Sequence, residues 1–342
     1  MPGLLPELAW AELRFRRRPD SSALFALARG AARNWRRTVS LARLLHRRHE
    51  FFKVLRVAEL VAYYARYLDL FRRGRFRLAV MSSHSNPHGI AFNLAARKLG
   101  VPVVLVTHGM PVRPVARLSY DLSVVHCEAA RQTYLEEGCR MGRVLIHGRR
   151  QRHAPMPAAP LPERLSVGVF LCKDVNEERL RSLVERLLCD ARVSRVNLRP
   201  HPKNLWVGLD AWLASLNDGR VSKSGGGSVF RDIESVDVVL GGNSSVLVDA
   251  VTAGRPAAYV PGLDYGSRDL HALVARGLVC EFDERSGLDP GAMQRFYRRP
   301  GWPAVLRLFA NVDEDEAEVA ARAAEAMREL VASRGAAEKD GA

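Results

Sequence analysis

The sequence predicts an α/β protein of two doubly wound domains, with a helical extension at the N-terminus and a C-terminal helix long enough to reach back across to the first domain. Three observations carry this. Short β-branched runs alternate with helical periodicity twice along the chain, from Arg77 to Ile146 and again from Ser166 to Glu281. Such alternation implies a mostly parallel sheet covered on both faces. Between the two series lies APMPAAPLPE, whose Pro155, Pro157, Pro160 and Pro162 continue neither a helix nor a central strand. The 342 residues suffice for two cores of ordinary domain size. The boundaries that follow are 1–76 for a basic helical region, 77–153 for the first α/β domain, 154–163 for a linker, 164–312 for the second domain and 313–342 for the C-terminal helix and tail.

Taken in order, residues 1–75 read as helical throughout. From Glu50 to Phe71 the polar residues Lys53, Arg56, Glu59, Arg66 and Asp69 form one narrow stripe, which predicts a helix mostly buried in its own domain. The stretch Arg29 to Arg48 instead alternates Arg33, Arg36, Arg37, Arg43, Arg47 and Arg48 with Trp35, Val39, Leu41, Leu44 and Leu45, the pattern of a surface-binding helix. Leu78 to Met81 is then a strand, SSHSNPHG a polar loop, and Ile90 to Leu99 a helix closed by Gly100. Val103 to Val106 is the next strand and runs into Thr107, His108 and Gly109; Leu122 to Val125, a helix from Glu128 to Glu137, and Val144 to Ile146 complete the first series. The second holds a strand at Ser166 to Leu171, a helix at Glu177 to Leu188, a strand at Arg195 to Leu198, the loop RPHPKN and a helix at Leu209 to Leu216. KSGGGS lacks the spacing of a P-loop and reads as a flexible loop. A strand at Val236 to Leu240, a helix from Ser245 to Ala253 stopped by Gly254, a strand through Val260, a helix at Asp269 to Ala275 and a strand at Leu278 to Glu281 follow. The last helix is expected over Asp313 to Ser333.

Composition excludes several classes. An apolar fraction of 47% with 26% charged residues rules out wholesale disorder. The five scattered cysteines form no C-x-x-C pair, which argues against a disulfide framework or a zinc site and fits a reducing cytosol. The opening MPGLLPELAWAELRFRRRP has no apolar core of signal-peptide type, and no run reaches the length of a membrane span, so a cytoplasmic protein is expected. Charge is uneven: residues 1–77 carry 18 Lys and Arg against 6 Asp and Glu, the remainder 34 against 31. Such an end suits an anionic membrane surface, where each basic residue contributes about 1 kcal/mol. Nucleic acid is disfavoured because no helix-turn-helix, RNP or finger pattern accompanies the charge. A solvated arginine-rich surface without a partner is the plain alternative.

Three features fall at predicted strand ends, where ligands of doubly wound sheets bind. They are His108, the pair Arg199 and His201, and the pair Ser244 and Ser245 with Asp249 one helical turn on. A helix N-terminus with serine hydroxyls attracts an anion, and Asp249 suits a ribose. The alternative is an ordinary βαβ crossover with serine as N-cap. A histidine takes a proton from a hydroxyl nucleophile, while an arginine, a second histidine and a helix start hold a departing phosphate. That division of labour describes transfer from a nucleotide-activated donor. His84 and His88 in the SNPHG loop, with Arg149 and Arg150 in HGRRQRH, are acceptor-side candidates. The acidic run Asp313 to Glu316 is explained by the dipole of the helix it opens, and no residue pattern calls for a metal or cofactor.

Arg199-Pro200-His201-Pro202, followed by Asn243-Ser244-Ser245-Val246-Leu247-Val248-Asp249, resembles the paired R-x-H-P and S-S-x-x-x-D motifs of the CDP-glycerol glycerophosphotransferases and capsule-polysaccharide transferases. Thr107-His108-Gly109 is similar to the W-H-G or T-H-G element of their first domain, and Asp249-Ala250 with Gly254-Arg255-Pro256 has the spacing of the general GT-B E-A…G-x-P signature. The resemblance covers residues 78–282 and implies a GT-B fold of two Rossmann-like domains. It implies His108 as catalytic base, Arg199, His201, Ser244 and Ser245 at the donor phosphates, and Asp249 at the ribose. It further implies inverting, metal-independent transfer and a basic surface on the inner membrane. His147-Gly148-Arg149-Arg150-Gln151-Arg152 stands where the family often has G-x-P-R-x-D, and Thr107 replaces the usual aromatic. These departures favour a sugar or polyol-phosphate transferase over one with a glycerol-phosphate acceptor. The expected function is transfer from a nucleotide donor, cytidine-linked, to a cell-surface glycan or lipid-linked acceptor. Two other readings stand beside it. One is a UDP-sugar 2-epimerase, although its D-S-G-G-x-x-E-E run is absent; the other is a non-catalytic scaffold of the same fold that binds membrane or nucleic acid.

Overall fold

The computed structural model describes residues 51–74, 76–82, 84–107, 109–147, 156, 160–203, 206–265, 269–283, 287–310 and 315–340, with the single positions 25, 29, 32, 36 and 39. Its elements are α1 (Phe51–Arg73), β1 (Ala79–Met81), α2 (Pro87–Lys98), β2 (Val103–Val106), β3 (Ser119–Val125), α3 (Glu128–Glu136), β4 (Arg140–Ile146), β5 (Leu165–Phe170), α4 (Glu177–Cys189) and β6 (Val193–Arg199). There follow α5 (Leu209–Leu216), β7 (Val221–Lys223), α6 (Val229–Glu234), β8 (Val238–Gly241), α7 (Val246–Thr252), β9 (Ala257–Tyr259), β10 (Cys280–Glu281), α8 (Pro290–Arg298), α9 (Trp302–Phe309) and α10 (Glu316–Asp340). The chain divides into two compact units, Met1–His126 with Ala130–His147 and Glu314–Ala342, and Gly148–Asp313 with Cys127–Ala129. No described helix is long and apolar enough to cross a membrane. The surface-binding helix expected over Arg29 to Arg48 lies almost wholly outside the described residues.

The first unit is built on a parallel sheet in the order β1-β2-β3-β4. Asn86 caps α2, its side chain accepting the N–H of Gly89 at 2.9 Å, and Pro87 stands in the first turn. Cap and proline together start the helix three residues earlier than apolar periodicity alone suggests, so His88 is helical and not in a loop. Asp121 on β3 accepts both from Arg97 of α2, at 2.7 and 2.8 Å, and from the N–H of Val103, tying helix to sheet. Ala323, Ala324, Ala326 and Met327 of α10 pack on Val104, Leu122 and Val124. The small alanines let this helix lie close to the strands, and Arg143 to Glu329 at 2.8 Å adds an ion pair at the rim. α1 buries Ala62, Tyr67 and Phe71, with Tyr67 and Phe71 against Phe92, and most of its other described side chains are half-buried, whereas Arg56 and Val57 near its start and Asp69, Arg72 and Arg73 near its end are exposed.

The second unit holds six parallel strands in the order β10-β9-β8-β5-β6-β7. Read from β7 this is the doubly wound 3-2-1-4-5-6 arrangement, whose direction reverses between β5 and β8. Val167, Val169, Val196, Leu198, Val238 and Leu240 are fully buried between the covering helices. The apolar runs of these strands, with little alternation, follow from burial on both faces.

One local expectation holds and one fails here. KSGGGS is a loop as expected, but the short strand β7 and the six-residue helix α6 on either side of it are too brief to show periodicity. Asp269 to Ala275 forms successive turns, not a helix. Asp269 and Ala272 take positive φ of 47° and 54°, and the Asp269 carboxylate accepts the N–H groups of Leu273, Val274 and Ala275 at 2.6 to 3.0 Å. A side chain that satisfies three backbone donors replaces the helical bonds they would otherwise make.

Candidate functional site

The reversal of strand order puts a crevice outside the carboxyl ends of β5 and β8, and β6 ends one strand further along the same edge. His201 follows β6, and Ser244 and Ser245 follow β8. The sheet therefore brings these predicted residues to one edge of one unit. Asp249 sits one turn into α7, on the Ser245 face.

The β8 turn is fixed by its own hydrogen bonds. Ser244 donates its N–H to the Gly242 carbonyl at 2.8 Å, and its hydroxyl accepts the N–H of Val246 at 3.3 Å. The Ser244 hydroxyl proton thus remains to be donated outward. Ser245 is the residue before the helix and makes no side-chain capping bond to it. Asn243 turns away from the helix: its carbonyl oxygen accepts the N–H of Leu270 at 2.7 Å, and its amide donates to Asp264 at 2.9 Å.

His201 is exposed, and its Nδ1 accepts the N–H of Lys203 at 3.0 Å. An accepting Nδ1 leaves Nε2 as the protonated nitrogen of the neutral ring, ready to donate. Arg199 behaves differently. Its guanidinium pairs with Asp232, side chains 14% and 19% exposed, and donates to the Ser224 hydroxyl at 3.3 Å and the Gly227 carbonyl at 2.7 Å. Arg199 thereby anchors the triple-glycine loop at the end of β7.

In the first unit every strand runs into a histidine. His126 and His147 directly follow β3 and β4, His84 lies beyond β1, and His108 lies beyond β2. His108 itself, with Arg149 and Arg150, falls outside the described residues. The backbone leading to it is firmly held: Thr107 is buried, donates its N–H to Val124 and accepts the N–H of His126 at 3.2 Å. A hydroxyl does here what an aromatic could not, which accounts for the threonine. His84 is buried, its Nδ1 2.9 Å from the Tyr134 hydroxyl and its ring edge-on to that tyrosine. Burial, then Tyr120 and Cys139, push the Tyr134 hydroxyl far above the ordinary tyrosine range, so it stays protonated. His88 meets the ring of Tyr63 edge-on, and burial lowers its pKa from the ordinary 6.5 against the pull of Glu59. The two histidines sit in separate aromatic environments.

Sequence reasoning missed Asp264, Asn243 as its partner, and Cys172. Cys172 lies just beyond β5, where burial first and Asp264 second push its thiol up to about 12. The available signal was positional: all three stand within six residues of a carboxyl strand end. Among the described residues no group of three or more His, Cys, Asp or Glu is placed to hold a metal ion. An edge with an Nε2 donor, serine hydroxyls at a helix start and a nearby carboxylate can hold a phosphate and a diol.

The sequence matches no protein-family model and no curated protein. Solved structures do resemble the chain. CalG4, the calicheamicin glycosyltransferase, matches with a TM-score of 0.53 at 16% identity, over 81% of this chain and 80% of that one. A UDP-N-acetylglucosamine 2-epimerase matches with a TM-score of 0.46 at 15% identity, over 81% and 77% of the two chains. The glycosyltransferase SnogD from Streptomyces nogalater gives 0.43 at 17%, over 82% and 80%. With the first of these, and with two parallel-sheet units of four and six strands, the chain has the GT-B fold.

Proposed function

We propose that this GT-B protein is an inverting, metal-independent transferase. It moves a sugar or polyol phosphate from a nucleotide-activated donor, cytidine-linked, to a cell-surface glycan or lipid-linked acceptor. One observation carries the reading: His201, Ser244, Ser245 and Asp249 all stand at the carboxyl edge of a 3-2-1-4-5-6 sheet, beside its reversal point. Ser244 and Ser245 donate to the donor phosphates, His201 donates through Nε2 to the charge that grows on the leaving phosphate, and Asp249 accepts from the ribose hydroxyls. Arg199 contributes by holding the loops after β6 and β7 together. His108, in the first unit, takes the proton of the acceptor hydroxyl. The basic N-terminal region brings the protein to an anionic membrane face where a lipid-linked acceptor resides.

The test is nucleotide release from CMP-, CDP- and UDP-linked donors, with and without glycan acceptors. Acceptor-dependent release that falls in His201→Ala and His108→Ala is expected. Full turnover in both variants sinks the mechanism, and sugar interconversion without any acceptor identifies an epimerase instead.

A further inference from the structure

The loop after β9 carries Asp264, a carboxylate only 8% exposed. Its backbone pairs with Val175 in an antiparallel bridge, which joins it to the loop after β5. One carboxylate oxygen accepts the N–H of Asn243 at 2.6 Å, and the other accepts the Asn243 side-chain amide at 2.9 Å. The same carboxylate faces the Cys172 thiol and, after burial, helps to hold it protonated. A Cβ at Gly242 would overlap Oδ2 of Asp264, so the close approach requires glycine there. Asn243 passes the constraint on, since its Oδ1 takes the N–H of Leu270 at 2.7 Å. Loops from three strand ends thus converge on one buried carboxylate at the point where the strand order reverses.

We infer that Asp264 is a positioning residue for the donor: through Asn243 it sets the course of the Gly242–Ser245 turn, and so the place of the Ser244 and Ser245 hydroxyls. The inference rests on the donor reading of that turn. It also assigns the contacts more narrowly. Asp264 occupies the N–H of Asn243 in the turn that leads into α7, so the donor phosphate meets serine hydroxyls and not this turn amide.

Asp264→Asn keeps the shape but sets an NH2 against the amide of Asn243, where only an acceptor fits. Asn243→Ala removes the side-chain half alone and guards against a variant that fails to fold. In the full-length protein without nucleotide, hydrogen exchange at the amides of Asn243 and Leu270 is expected to rise at least about tenfold in Asp264→Asn, with the amides of β5 and β6 unchanged. Unchanged exchange at Asn243 overturns the inference. CDP and UDP are then titrated calorimetrically into each protein. Whichever the wild type binds is expected to bind about tenfold more weakly to Asp264→Asn and severalfold more weakly to Asn243→Ala, as a rise in Kd and donor KM with kcat little changed. Equal affinity overturns the positioning role. If the wild type binds neither nucleotide, the donor reading fails, while the exchange result still decides whether Asp264 holds the turn.

Discussion

At the scale of single residues, a hydroxyl matters for what it has left to give. The Ser244 oxygen already accepts from Val246, so its proton is the part available to a ligand. Ser244→Ala is therefore expected to leave the helix nearly intact and to raise donor Kd by about 10- to 150-fold, the loss of one charge-assisted hydrogen bond. An unchanged Kd by calorimetry would remove Ser244 from the site. His88 gives a different kind of test. Burial lowers its pKa below the ordinary 6.5, so in the window between that lowered value and 6.5 the unfolded chain binds more protons than the native one. Stability must then rise with pH across the window and be lost on acidification through it. His88→Asn is expected to flatten that part of the melting-temperature profile, and an identical profile would show that the ring is solvated. These residue roles were partly legible. Ser244, Ser245 and His201 stand out because hydroxyls and histidines at strand ends have chemistry of their own. Asp264 did not stand out, because an aspartate in a glycine-containing loop reads as a turn former until its partners, 21 residues away at Asn243, are known.

At the scale of elements, the β8 turn and α10 are held by opposite means. Gly242 is required by what lies beside it and not by its own conformation, since Asp264 fills the space a side chain would take. Gly242→Ala is expected to cost about 1–3 kcal/mol in stability, as overpacking does, and to weaken nucleotide binding with it. A fully stable variant with native affinity would mean that the carboxylate can withdraw freely. α10 depends on apolar burial: Met327 is fully enclosed between this helix and Val104, Leu122 and Val124. Met327→Ala is expected to lower stability by about 2–5 kcal/mol in urea unfolding, without changing the m-value. The helix itself was visible in the sequence, expected over Asp313 to Ser333, and its alanines are what allow close packing. The turns at Asp269 to Ala275 were not visible as turns. A side chain that binds three successive N–H groups leaves no mark on hydrophobic periodicity.

At the scale of the whole molecule, strand order explains why the α/β class could be read and the site only in part. Alternating apolar runs and helices dictate parallel sheets, but the order in which six strands lie follows from crossover packing that composition does not record. Charge is the one whole-chain property that the sequence states outright. Residues 1–50 carry 11 Lys and Arg against 4 Asp and Glu, with Trp35 and several leucines interleaved. A membrane contact through such a segment would join electrostatic attraction to shallow apolar insertion. The full chain is therefore expected to sediment with vesicles containing phosphatidylserine at low salt and not with neutral ones. Binding should weaken severalfold between about 0.05 and about 0.5 M salt as the charges are screened, and fall to the level of neutral vesicles when residues 1–50 are deleted. The deletion separates two origins of binding, because the remaining basic residues 51–77 would keep attracting vesicles if charge alone sufficed. Full-length protein that stays in the supernatant at low salt would leave the arginines as a solvated surface, and the acceptor would have to be sought in solution.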